Sequence, residues 1–172
     1  MDKITRDIAL KTPDWDKLIS QMYRVVFSTM YNMYVLCASI GIMYDQQIDA
    51  DSKEEESAGQ IPRNVLVNNK EELEILFQTA ILTSDQVGFS EDERLELAFG
   101  DTNPIKDFDQ LNFLTRFANY GAKVLAEKMG DDVLESMENI KDLLSATVVG
   151  LNFEINPIDL DALDIDVDDL LG

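Results

Sequence analysis

Residues 30–44, MYNMYVLCASIGIMY, decide the fold of this chain. The segment has no charged side chain, and its apolar residues fall on every side of a helix rather than on one stripe. Such a helix must lie inside a larger body, because each face needs an apolar partner. Asn32 and Ser39 interrupt the run, which argues against a transmembrane span. We therefore expect a central buried helix.

Upstream of this segment, a helix is predicted from 13 to about 28. Thr12 is a favourable N-cap, and Pro13 suits the first helical turn. Apolar residues then recur at helical spacing: Trp15, Leu18, Ile19, Met22 and Val26. This face is expected to pack against the central helix.

Downstream, polar connections alternate with further helices. The acidic segment over about 45–63 predicts a mobile surface loop. Asn69 is the expected cap of a helix that ends near Gly88 and carries Leu73, Leu76, Phe77, Ala80 and Ile81. Ser90 and Glu93 have the spacing of a capping box, which predicts a short helix to about Phe99.

Two longer helices are predicted to complete the body. The first carries one apolar face from Leu111 to Leu125 and ends at Gly130. Asp131 is the expected cap of the second, whose apolar residues alternate between spacings of four and three: Val133, Met137, Ile140, Leu144, Thr147 and Leu151. That seam leaves homodimerisation open. Residues 1–151 are thus predicted to form an all-α domain, a single helical bundle of about six helices.

The charge of the chain restricts its partners. The sequence has 34 acidic and 14 basic residues, which gives a net charge of −20. That charge repels nucleic acid phosphates and anionic lipids, so we expect no direct nucleic acid binding and no membrane binding. A basic protein is the favoured partner.

The absence of histidine restricts the chemistry. The chain lacks the usual general base at neutral pH and the commonest ligand of zinc and iron. No glycine-rich phosphate loop is present, and Asp164-x-Asp166-x-Asp168 lacks the glycine of a calcium loop because Asp169 occupies its sixth position. We therefore expect no catalytic residues, no metal site, no cofactor and no enzymatic activity.

Cysteine usage and the N-terminus predict a cytoplasmic location. The lone Cys37 cannot form an intramolecular disulfide, and its apolar neighbours predict burial. Residues 1–7 show no basic segment leading into an apolar signal core.

Residues 152–172 are predicted to be a C-terminal docking tail, because acidic and aliphatic side chains alternate along them. The expected partner-binding residues are the apolar anchors Leu160, Leu163, Ile165, Val167 and Leu170, and the steering carboxylates Asp161, Asp164, Asp166 and Asp168. The spacing fits an added strand or one face of a short helix, and a disordered solubilising end is the simpler alternative. The sequence does not choose among these.

Two segments resemble small accessory proteins associated with bacterial DNA phosphorothioation systems, which modify and restrict DNA through sulfur. Residues 34–41, YVLCASIG, resemble that family's aromatic-aliphatic-small helix ending in glycine, and residues 117–125, FANYGAKVL, are similar to its aromatic-Ala-Asn-Gly-Gly helix start. Tyr120 stands where the family pattern has glycine. The resemblance covers about 25–149 and implies an accessory role in prokaryotic defence, with no catalytic residues to transfer.

These observations lead to one functional expectation and one alternative. We expect a non-enzymatic acidic adaptor of a DNA-defence or DNA-processing assembly, binding a basic partner such as a nuclease or motor component partly through its tail. The alternative is a DNA mimic, whose carboxylates block a DNA-binding enzyme. A mimic requires acids along one elongated face of the body, whereas an adaptor requires mainly the tail.

Overall fold

The computed structural model describes residues 4–49, 57–86, 88–100, 105 and 108–150, the last four by their backbone alone. Helices dominate this part of the chain. In order, the elements are β1 (Ile8–Leu10), α1 (Pro13–Met22), α2 (Met30–Met43), β2 (Gly59–Ile61), α3 (Arg63–Asn68), α4 (Lys70–Thr83), α5 (Glu91–Phe99), α6 (Gln110–Glu127) and α7 (Val133–Gly150).

The prediction of a purely all-α bundle of about six helices needs correction. The described residues form seven helices and one two-stranded antiparallel sheet, in which Ile8 lies opposite Ile61. Each strand has only three residues, too few to show an alternating pattern. Because β2 lies within residues 45–63, that segment is not wholly a loop.

The predicted central helix is confirmed as α2, which packs antiparallel to α6 at the centre of the fold. The two backbones touch through glycine. A Cβ atom built on Gly121 would lie 1.8 Å from the Cys37 carbonyl oxygen, and one on Gly41 would lie 2.0 Å from the Phe117 carbonyl oxygen. Only glycine permits so close an approach at these positions. Residues 34–41 and 117–125 therefore contact each other.

The first helix is shorter than predicted, because α1 ends at Met22 rather than near 28. Tyr23 is extended, and Arg24 has a left-handed backbone with φ of 65°. The amides of Val26 and Phe27 both donate to the Met22 carbonyl oxygen, closing a tight turn. No glycine or proline marks this turn in the sequence, so helical periodicity alone extended the prediction too far.

Of the four predicted helix caps, one is confirmed, two lie at the N-cap position without a side-chain bond, and one is replaced by its neighbour. Asn69, at the N-cap of α4, makes no side-chain capping bond. Ser90 and Glu93 form the predicted capping box of α5. Thr12 makes no capping bond, and its hydroxyl is buried without a partner among the described residues. At α7 the cap is Asp132 rather than Asp131, since the Asp132 carboxylate accepts from the Glu135 amide at 2.9 Å.

The core is built from large side chains on several helices. Its fully buried members include Trp15, Tyr34, Phe77 and Phe117. Rings of Phe77, Phe113 and Phe117 meet edge to face, with centroids 6.0 and 5.2 Å apart. Within the described residues, none of the helices combines the length and the apolar character needed to span a bilayer.

Candidate functional site

All predicted partner-binding residues lie outside the described residues. They are Leu160, Asp161, Leu163, Asp164, Ile165, Asp166, Val167, Asp168 and Leu170. Their role therefore stays a prediction.

A buried asparagine joins three parts of the body. The Trp15 indole donates to Asn119 Oδ1 at 3.0 Å, and Asn119 Nδ2 donates to the Ile48 carbonyl oxygen at 3.1 Å. The Ile48 amide in turn donates to the Arg116 carbonyl oxygen at 3.0 Å. These bonds attach α1 and the segment after α2 to α6. Asn119 is thus engaged by structural partners, and at 1% exposure it is closed to a ligand from solvent.

The buried titratable groups are poorly suited to act as catalytic nucleophiles or bases. Burial raises the pKa of the Cys37 thiol, and burial likewise raises the pKa of Tyr34, whose hydroxyl lies 3.3 Å from that of Thr115. The pKa of Tyr31 is raised by burial and by its hydrogen bond to Glu72. A thiol with a raised pKa is a weak nucleophile. The predicted burial of Cys37 is confirmed.

Metal chemistry finds no support in the part of the chain that the structure describes. Acidic and cysteine side chains there form no group of three arranged to hold a metal ion. Arg116 pairs with Asp49 at 2.7 Å, beside an open pocket of about 320 Å³ that is lined largely by glutamine and phenylalanine. That arrangement presents no pair of acid and base for catalysis.

An apolar groove of about 270 Å³ separates α7 from the turn after α1. Met22 and Phe27 line one side, and Met137, Ile140 and Leu144 line the other. Ile140 is buried, so part of the heptad-like seam packs within the chain itself. The seam is therefore not wholly free for a second copy.

A surface with several exposed apolar side chains lies on α4 and α5, which pack antiparallel. We call it the α4–α5 face and define its apolar part as Ile75, Leu82, Leu95 and Phe99, exposed by 63%, 36%, 45% and 65%. The Gln78 side chain on α4 donates to the Ala98 carbonyl oxygen on α5 at 3.0 Å. Leu82 and Leu95 border one open depression of about 420 Å³. The two helices thus present one joint surface.

Carboxylates surround this surface. Residues 70–99 carry eight acidic and two basic side chains. Glu71, Glu91, Asp92 and Glu96 are all exposed. Glu93 is held in the capping box, where hydrogen bonds from the Ser90 amide and hydroxyl lower its pKa. The α4–α5 face therefore combines exposed apolar groups with strong negative charge.

Sequence reasoning did not identify the α4–α5 face, although one signal was present. The predicted core face of α4 comprised Leu73, Leu76, Phe77, Ala80 and Ile81, which left Ile75 and Leu82 unassigned. These two residues are seven apart and therefore share a second, separate face of the helix. In comparisons with known proteins, the chain matches no family model, no curated protein and no solved structure.

Proposed function

We propose that this chain is a non-enzymatic acidic accessory protein that binds a basic protein partner. The observation that carries the proposal is the excess of exposed carboxylates around the apolar surface of α4 and α5. Opposite charge accelerates association and sets its salt dependence, while apolar contact supplies most of the affinity. The partner belongs to a prokaryotic DNA-defence or DNA-processing assembly, where nucleases and motors carry basic surfaces.

The buried polar groups support a binding role over catalysis. Asn119, Tyr34 and Tyr31 are all engaged in bonds between elements of the body. Burial raises the pKa of Cys37, so its thiol is not activated. In this proposal the C-terminal tail adds a second contact, because its aliphatic and acidic residues suit the same kind of basic partner.

The experiment is a tagged pull-down from the native host at low and high salt, with partners identified by mass spectrometry. Full-length chain is compared with a chain that ends at Leu151. The proposal expects a basic protein that salt releases and that rebinds as a purified protein. If the truncated chain no longer captures that partner, residues 152–172 determine the specificity of binding. Capture of only acidic or salt-resistant proteins would contradict the proposal.

The alternative function, a DNA mimic, makes a different prediction in the same experiment. A mimic occupies the DNA site of its target, so duplex DNA displaces it competitively. An adaptor bound elsewhere on the partner is not displaced by DNA at the same ionic strength. If the truncated chain still captures the partner and duplex DNA displaces the chain from it, the result favours a DNA mimic.

A further inference from the structure

The four apolar residues of the α4–α5 face have the spacing of a helix-binding surface. Ile75 and Leu82 are two turns apart on α4, and Leu95 and Phe99 are one turn apart on α5. The bond from Gln78 to Ala98 brings the adjacent turns of the two helices together. Single exposed aliphatic residues are ordinary on a protein surface. Leu82 and Leu95 border one depression, Phe99 lies one turn from Leu95 and Ile75 two turns from Leu82, and a group of exposed apolar residues of this kind marks an interaction site.

The carboxylates are placed at one helical turn from these apolar residues. Glu71 precedes Ile75 by four residues, Glu91 precedes Leu95 by four, and Glu96 precedes Phe99 by three. Three of the four apolar groups, Ile75, Leu95 and Phe99, therefore have an exposed acid on the same side of their helix. The pattern is an apolar strip whose surroundings carry more acids than bases, although Arg94 and Glu91 both line the depression itself.

We propose that the α4–α5 face binds a basic amphipathic helix of the partner, which rests on the proposed function. The helix lies along the depression between α4 and α5, and its apolar side contacts all four apolar residues of the face, Ile75 included. Its Lys and Arg residues face the surrounding carboxylates. Packing of one helix into the groove between two others is a common recognition geometry.

The negative charge of the α4–α5 face determines which kinds of partner can bind there. A second copy of the chain, the acidic tail and an anionic lipid surface all have the same sign as the face and are repelled. A basic strand is also a poor fit, because the backbone groups of α4 and α5 are used within the helices and offer no sheet edge. A basic helix meets both the apolar and the electrostatic requirement.

The test uses a synthetic peptide made only of Leu and Lys, about five turns long, with leucines at helical spacing. A second peptide has the same composition in scrambled order and therefore the same charge without an apolar face. Binding of each labelled peptide to the full-length chain is measured by fluorescence anisotropy at physiological ionic strength. We expect the amphipathic peptide to bind at least about tenfold more tightly than the scrambled one.

Matched variants locate the binding surface. Leu95→Ser with Phe99→Ser is expected to weaken binding of the amphipathic peptide by about tenfold or more. Ile75→Ser removes an apolar group from α4 and should weaken binding independently of α5. Leu134→Ser is the control, because Leu134 is 73% exposed on α7 and should leave binding unchanged. Circular dichroism verifies that each variant keeps its helices.

The outcomes separate this inference from the proposed function. Equal and salt-sensitive binding of both peptides would overturn the inference and leave a charge-driven adaptor standing. Wild-type affinity in both the Leu95/Phe99 and the Ile75 variants would also overturn it. If neither peptide binds at all, the result counts against both the inference and the proposed function.

Discussion

At the scale of single residues, Gly121 is the position least able to accept a side chain. In Gly121→Ala, the new methyl group would collide with the Cys37 carbonyl oxygen, which belongs to rigid backbone. The α2–α6 pair must separate to relieve the collision, so we expect the free energy of unfolding to fall by about 3 kcal/mol or more. Urea denaturation followed by Trp15 fluorescence measures the change, since Trp15 is the only tryptophan of the chain.

Gly88→Ala is the matched control for this prediction. A Cβ atom on Gly88 meets nothing within 4 Å. The substitution should leave stability unchanged or raise it slightly, because alanine has fewer unfolded conformations to lose. Equal stability of the Gly121→Ala variant and the parent would refute the close approach of α2 and α6.

Asn119→Ala tests the buried polar bridge. The substitution leaves the Trp15 indole and the Ile48 carbonyl oxygen without their side-chain partner. Each unsatisfied buried group is costly, so a loss of about 2–4 kcal/mol is expected in the same denaturation assay. Asn112→Ala, at an exposed position on the same helix, should change stability by less than about 0.5 kcal/mol. A similar effect of both substitutions would show that Asn119 is not a specific bridge.

At the scale of elements, the α5 capping box gives a prediction about pH. Bonds from Ser90 lower the pKa of Glu93 in the folded protein. The stabilisation from ionised Glu93 is therefore complete above the unfolded pKa and is lost as pH falls through the folded pKa. In Ser90→Ala, the pKa of Glu93 should rise toward its ordinary value. An NMR titration of the Glu93 carboxyl group measures it, and an unchanged pKa would contradict the box.

The secondary-structure elements predicted correctly were those marked by a recognisable pattern of neighbouring residues in the sequence. The capping box of α5 and the all-round apolar character of α2 are both visible in the sequence, and both are confirmed. The end of α1 depends on the left-handed Arg24, a residue with no intrinsic preference for that conformation. The strands β1 and β2 exist because Ile8 and Ile61 become buried together, which is a tertiary effect.

At the scale of the whole molecule, the net charge of −20 predicts a response to salt. Raising ionic strength from about 0.01 to about 0.15 M shortens the Debye length from about 30 to about 8 Å, which weakens self-repulsion. We therefore expect the melting temperature to rise over this range. Circular dichroism at increasing NaCl concentration measures the effect.

A truncated chain provides the control for the salt experiment. Ending the chain at Leu151 removes seven carboxylates and makes the net charge less negative, −13 instead of −20. Its melting temperature should rise less with salt than that of the full chain. A melting temperature that falls with salt in both chains would mean that specific ion pairs outweigh general repulsion.

The candidate site was less predictable than the fold. Charge pointed to a basic partner, but the sequence placed the contact in 160–170, outside the described residues. The α4–α5 face depends on which side of α4 is covered. Phe77 and Ile81 are buried while Ile75 and Leu82 are exposed, although all four are large and apolar. Composition cannot separate them, because the difference arises from how α2, α5 and α6 surround α4.

The glycine contact between α2 and α6 also has a consequence for how the protein is made. Gly121 is synthesised 80 residues after Gly41. At about 5–20 residues per second, the ribosome delivers the α6 glycine on the order of 4–16 s after its partner. During that interval β2 and α4 are made and can pack on α2, but the side of α2 that α6 covers has no partner. That apolar side must be kept from aggregating until α6 is made.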